Sequence, residues 1–340
     1  MSIINLNYNQ SILKKSKKIL SLLVLSLILL TSCIVDENGN PLVEPDGEAL
    51  DQRFEDNRAN AVQTFTLDAA TGGTITGVHG TQITFPSSCT GNNGTPVTGT
   101  IEIQLIEIYT KADMVLLNMS TTGKKSNGDE EALKSGGEFF VSATQNGNPL
   151  TLLAPISIRT RNVDSSNFES MQVFRAGNEI NDTDPWQEAD ENNDGQPDDA
   201  QIGEDQGPNG TYVLYSVFDM SSFGWTNLDK WYNFSGQLTD LFVDVPNGYN
   251  GDNIAVYLSY DGENGLARMD IYDETLGLFT EHYGRIPVGL DVHFIAITEI
   301  NGIIHYAIQA ATITNNHTEV ITNLQPTTQA DLTTLINNLP

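Results

Sequence analysis

The densest run of chemically capable side chains is Asp190-Glu191-Asn192-Asn193-Asp194-Gly195-Gln196-Pro197-Asp198-Asp199. Oxygen-bearing side chains recur at alternate positions, Asp190, Asn192 and Asp194, and a glycine follows the third. That spacing lets one loop wrap a hard cation: oxygen ligands suit calcium, and the glycine makes the sharp turn. Asp198 and Asp199 supply further oxygens, directly or through water. The competing reading is a solvated acidic loop, because acidic residues abound in this chain.

A second candidate is the thiol of Cys33. Basic residues Lys14, Lys15, Lys17 and Lys18 precede an apolar run from Ile19 to Leu30, which ends in Leu30-Thr31-Ser32-Cys33. Basic, apolar and small residues in that order form a secretory signal. The run is shorter than the roughly 20 residues of a spanning helix. Small residues let the cleavage site enter a peptidase as extended chain, and the thiol can take a diacylglyceryl group. Residues 1–32 are therefore expected to be a signal peptide. Two or more acyl chains anchor stably, where one is marginal.

The third candidate is aromatic: Phe223, Trp225, Trp231, Tyr232 and Phe234 cluster within twelve positions. Trp225, Trp231 and Tyr232 can form a stacking platform for a sugar or another partner; packing between domains is the alternative and the commoner use of large aromatics. The histidines, His79, His282, His293, His305 and His317, lack HExxH spacing, so zinc is not expected. GxSxG, P-loop and Rossmann fingerprints are missing too. In so acidic a chain a glycosidase-like carboxylate pair can always be drawn, and none is assigned.

Charge narrows the partners. All 44 acidic residues follow Cys33, together with 12 of the 16 basic ones, leaving −32 on the mature part. Such a charge repels nucleic acid and anionic membrane surfaces and favours cations, so nucleic-acid binding is excluded. With Cys33 acylated only Cys89 remains, so no internal disulfide is available. Cys89 reads as a buried or loop thiol.

The elements that must hold these residues read as strands. Residues 33–62 are polar and acidic, a flexible tether. Strand patterns begin near Gln63. The clearest is Thr98–Tyr109, where Ile101, Ile103 and Leu105 share one face and the phase then flips to Ile106 and Ile108. A bulge near Leu105-Ile106 would return them to one core. Asn146-Gly147 marks a hairpin turn, and Asn301-Gly302 joins the best hairpin in the chain. Residues 163–229 read as an acidic connecting segment with short strands near Met171–Arg175 and Tyr212–Phe218. Thr328 to Leu339 reads as one short helix packed on a sheet. The expected fold is all-β: two Ig-like β-sandwiches, over 63–162 and 230–340, with that short C-terminal helix.

Four resemblances add to this reading. Leu30-Thr31-Ser32-Cys33 resembles the lipobox of bacterial lipoproteins, which implies that Cys33 is the lipidated first residue of the mature chain, and Asp36-Glu37 behind it looks like the surface-export signal of Bacteroidetes lipoproteins. The implied location is the outer membrane, facing the cell surface, with a periplasm-facing anchor as the alternative. Gly72-Gly73-Thr74-Ile75, Gly80-Thr81-Gln82-Ile83-Thr84-Phe85-Pro86 and Gly99-Thr100-Ile101-Glu102-Ile103 resemble the ZU-five domain, and Ser135-Gly136-Gly137-Glu138-Phe139-Phe140 is similar to a strand of its Bacteroidetes relatives. That resemblance implies a non-enzymatic interaction or structural module over about residues 63–162. The His-Phe-Ser motif at which some eukaryotic relatives cleave themselves is not matched, since Ile295 follows His293-Phe294. The Asp190–Asp199 run is similar to EF-hand and thrombospondin-type-three loops, departing at Gln201, where an EF-hand has a glutamate. The expected function is a lipid-anchored binding or structural module with a protein or glycan ligand; the alternative is a hydrolase acting on polysaccharide or peptide at the cell surface.

Overall fold

The computed structural model describes residues 44–161, 169–192, 194–207, 210–234 and 236–340, without the side chains of His282 and Tyr283. Cys33, the expected signal segment and the first part of the expected tether lie outside the described residues.

The strand Thr100–Ile108 explains the architecture. Ile101, Ile103 and Leu105 enter one apolar core, while Ile106 and Ile108 enter another on the opposite face. Its pairing with Glu130–Gln145 runs without a register shift from Glu102 to Ile108, so the bulge expected at Leu105-Ile106 does not form. The phase flip reflects a sheet covered on both faces, which makes a strand read as continuously apolar.

Four main sheets follow. Sheet I orders Gln63–Asp68, Thr100–Ile108, Glu130–Gln145, Gly224–Trp231, Gln172–Arg175 and Gln187–Glu188. Sheet II orders Gln201–Gln206, Tyr212–Met220, Ile156–Arg159, Gln82–Phe85 and Gly73–Thr76. Together they enclose a core containing Ile83, Ile103, Phe139, Val141, Ile158 and Met220. Sheet III holds Leu238–Asp244 between Leu278–Pro287 and His317–Val320, the last pairing in parallel. Sheet IV centres on Ala255–Tyr260, Asp291–Ile300 and Ile303–Thr312. Sheets III and IV enclose Leu241, Val256, Leu258, Phe279 and Phe294. The chain is thus all-β with two sandwiches, as alternating patterns predict.

Both predicted hairpin turns form. Asn146 and Gly147 take φ of 52° and 76°, and Asn301 and Gly302 take 51° and 78°. Positive φ at both central residues is the two-residue turn whose twist matches paired strands.

A third core lies between the sandwiches. Ile106, Ile108, Phe140 and Trp225 from sheet I meet Tyr257, Ile295 and Ile297 from sheet IV. Three helices fill the layer: α1 (Gly47–Ala61), α2 (Lys111–Leu117) and α3 (Gln329–Asn337). Residues 45–340 accordingly form one compact unit. None of the described helices is long and apolar enough to cross a membrane.

Helix α1 corrects the part of the expected tether that covers residues 47–61. Its Leu50, Phe54 and Arg58, spaced by four, form one buried stripe. Asp46 caps it, accepting from Ala49 N at 3.0 Å. Arg58 donates from Nη1 to Leu117 O at 2.6 Å and from Nε to Asn181 Oδ1 at 3.0 Å. Two large apolar residues in fifteen, Leu50 and Phe54, look like linker composition, and only the docking surface makes the segment a helix.

The boundary at 163–229 also moves. Gly224–Trp231 pairs with Glu130–Gln145 in the middle of sheet I, and Tyr212–Met220 pairs with Ile156–Arg159 in sheet II. The connecting segment therefore completes the first sandwich. Helix α3 matches the predicted C-terminal helix, burying Leu332 and Ile336 in the layer between sandwiches.

Candidate functional site in the cleft between the sandwiches

Tyr232 stands where the chain leaves sheet I for the second sandwich, its N donating to Ala132 O at 2.9 Å. Its ring stacks on Tyr260, with centroids 5.5 Å apart and planes 16° apart. Lys134 Nζ lies 5.0 Å from the Tyr232 ring and pairs with Glu263 at 2.5 Å. The two tyrosines come from different sandwiches and form a wall of a cleft of about 250 Å³. Phe234, Arg268, Glu281 and Arg285 also line it.

A bulge builds the opposite side. Leu241 pairs with Glu281 and Thr239 with Ile286, so four residues on one strand oppose one on the other. Bulges re-aim side chains. Here Gly284, at φ of 63°, makes the turn, and Glu281 Oε2 accepts from Gly284 N at 3.0 Å and Arg285 N at 3.3 Å. Arg285 reaches across to Asp129 in the first sandwich, hydrogen-bonding through Nη2. That bond holds the Asp129 carboxyl below its ordinary range and raises the Arg285 guanidinium. Burial, with Glu281 and Tyr232 adding, pushes the Tyr260 phenol well up, so it keeps its proton.

Of the predicted aromatic cluster, Tyr232 and Phe234 reach this cleft. Trp225 has no exposure: it packs on Phe140 and Trp186 and donates from Nε1 to Glu179 O at 3.1 Å. Its packing alternative is the one the structure shows. Trp231 is half-buried, donating to Glu188 Oε1 at 2.6 Å with Lys125 Nζ 4.9 Å from its ring. Tyr260, Arg268, Glu281 and Arg285 were not singled out from the sequence. The readable signal was Gly284 inside a strand, which marks a bulge.

The acidic loop is closed by its own side chains. Asp190 accepts from Asp194 N and Gly195 N, each at 2.9 Å. Asn192 Oδ1 accepts from Asp194 N, and Asp194 Oδ1 from Gln196 N, again at 2.9 Å. Asp198 Oδ1 accepts from Asn192 Nδ2 at 2.7 Å, while Asp198 O binds Val173 N of sheet I at 2.8 Å. Asp199 bridges to Gln172. Asn193 lies outside the described residues. Among the described residues no three Asp, Glu, His or Cys side chains converge on one point. The predicted ligands Asp190, Asn192, Asp194, Asp198 and Asp199 thus share a loop without forming a three-carboxylate centre.

The remaining reactive groups are placed in structure. Cys89 is a buried free thiol, pushed up by burial. His293 and His305 do not face one another across their hairpin: His293 pairs with Ala310 and His305 with Thr298. His293 Nδ1 instead lies 2.7 Å from Asp261 Oδ1. No family model matches the chain, and no curated protein matches it either.

Proposed function

We propose that the chain is a lipid-anchored protein of the outer membrane, facing the cell surface, whose folded part is a non-enzymatic binding module. The observation that carries this is the cleft made jointly by both sandwiches, whose stacked tyrosines and charged rim offer the means of binding. The order of lysines, apolar run and Leu30-Thr31-Ser32-Cys33 supports the anchor. The likeness of residues 72–103 to ZU-five strands supports an interaction role. The ligand is proposed to be a protein or a glycan.

The test uses the intact protein in its native cells. Labelled palmitate is expected to enter the wild-type chain and not a Cys33→Ser variant. Protease applied to whole cells is expected to remove the folded part. Protection of the protein in intact cells would sink the surface assignment. A pull-down from those cells with and without Phe234→Ala tests the cleft as the binding face.

Calcium is the second ligand we propose, held by the Asp190–Asp199 loop as an ordering ion. Support comes from the alternation of Asp190, Asn192 and Asp194 before Gly195, and from the anchoring of Asp198 to sheet I.

A further inference from the structure

Sheet I carries an irregularity on the face that meets the second sandwich. Glu138 pairs with Asn227 and Asp229 with Ser135, so Gly136 and Gly137 on one strand oppose Leu228 alone on the other. Such a bulge re-aims side chains. Glu138 also pairs with Ile108, a residue of the core between the sandwiches, so its carboxyl points into that layer.

Glu138 has no exposure, and neither of its oxygens meets a donor. Asp229 beside it is better served, by Ser135, Asn227 Nδ2 at 2.7 Å and the Gly136 amide. The charged groups that act on Glu138 are both acids, Asp229 and, from the first turn of α2, Asp113. The nearby cations are directed elsewhere. Lys111 of α2 donates to Tyr260 O at 2.7 Å and Pro340 O at 2.9 Å, facing Asp261 and Glu263, and Lys134 pairs with Glu263 at 2.5 Å. Tyr109, packed against Gly137, keeps its proton because burial pushes its phenol up to about 12. A carboxylate so placed cannot ionise dry; it needs water.

The seam that excludes water is built on Ser135. Its N donates to Asn264 O at 2.7 Å, and its O accepts from Asn264 Nδ2 at 2.9 Å. Thr121 N donates to Leu266 O at 2.7 Å, and Leu266 N donates to Thr121 Oγ1 at 2.8 Å. These bonds tie the first sandwich to the turn that follows Tyr260 in the second. A cavity of about 440 Å³ lies at the same turn, lined by Tyr109, Thr110, Gly262, Glu263 and Asn264.

We propose that Glu138 is a proton-operated latch on the seam between the sandwiches. Protonated, it lies dry beneath a closed seam. On losing its proton to solvent it draws water in from the cavity at Asn264, and residues 261–266 come away from Ser135 and Thr121. Tyr260 leads into that turn and stacks on Tyr232 of the cleft, so the opening also loosens the cleft wall. The latch does not rest on what the cleft binds. Its sign follows from burial, which with Asp229 and Asp113 raises the Glu138 carboxyl. The closed form holds the proton more tightly, so closure is complete at low pH and is lost as pH rises through the folded value.

Hydrogen exchange of the intact chain in detergent, read by mass spectrometry from pH 6 to pH 10 and corrected for intrinsic rate, tests this. Protection of the peptides holding the Thr121, Ser135 and Leu266 amides is expected to fall by up to about tenfold per pH unit once Glu138 titrates, since one proton is at stake. Strands Ile156–Arg159 and Leu238–Asp244 are expected to keep their protection. Glu138→Gln cannot titrate and is expected to hold the seam closed throughout. Asn264→Ala, which removes a tie and leaves the acid in place, is expected to open at lower pH than wild type; it decides the matter if Glu138→Gln does not fold. A wild-type seam unchanged up to pH 10 would overturn the latch. So would an equal loss in Glu138→Gln, a loss running equally through the two control strands, or an Asn264→Ala seam that opens at the wild-type pH.

Discussion

Glu138 and Asp229 sit on adjacent strands of sheet I, and neither side chain has any exposure to solvent. Glu138 pairs with Asn227, Asp229 with Ser135, and an irregularity separates the two pairs. Both carboxyls hold their protons well above the ordinary carboxylate range. Burial is the main cause for each, and Asp229 then Asp113 add to it for Glu138. Hydrogen bonds from Ser135, Asn227 and the Gly136 amide oppose the shift at Asp229. Asn227 Nδ2 donates to Asp229 Oδ2 at 2.7 Å, while both oxygens of Glu138 lack partners.

A pH dependence follows from that pair. Folded-state affinity for protons is raised above that of the unfolded chain. The stability they contribute is therefore complete below the unfolded carboxylate range near pH 4, and is lost as pH rises towards the folded values. Each unit of pH costs up to about 1.4 kcal/mol per group over that window. Glu138→Gln removes one titration. Urea unfolding is expected to show the variant gaining on wild type from pH 5 to pH 8, and no such gain near pH 4. A difference independent of pH would remove the explanation.

Phe54→Ala tests helix α1 as a structural layer. Phe54 is 2% exposed in the core between the sandwiches. Emptying such a site costs about 3–5 kcal/mol. A flexible tether would lose nothing measurable in chemical denaturation.

The tryptophans give an optical test. Trp186 and Trp225 are 1% and 0% exposed, and Trp231 is half-buried. Acrylamide is expected to quench one component of the emission, and Trp231→Phe to delete it. Trp225→Ala is expected to cost about 3–5 kcal/mol by core loss. Persistent quenching in Trp231→Phe would contradict the burial of the other two.

Calcium is expected to raise the melting temperature of the wild type by ordering the acidic loop, following mass action on the folded state. Asp194→Ala should abolish the shift and cost about 1 kcal/mol without calcium, since its carboxylate also accepts from Gln196 N. An unchanged melting curve at millimolar calcium retires the ion.

Local pattern made several features legible. The hairpin turns at Asn146-Gly147 and Asn301-Gly302 were readable because positive φ at two successive positions selects those residues. Helix α3 was readable from Leu332 and Ile336, four apart, behind a capping Thr328. The cleft was not legible, since Tyr232, Tyr260, Arg268 and Arg285 come from separate segments of two sandwiches and no spacing rule joins them.

The sequence by itself determined the all-β character, the tight turns and the charge, because each rests on residue type and short-range period. Only the tertiary structure decided that Ile106 and Ile108 serve a second core, that residues 47–61 form a helix, and that residues 172–231 complete the first sandwich. Those outcomes depend on which surfaces meet. An apolar side chain records that it must be buried, and only the packed chain decides against what.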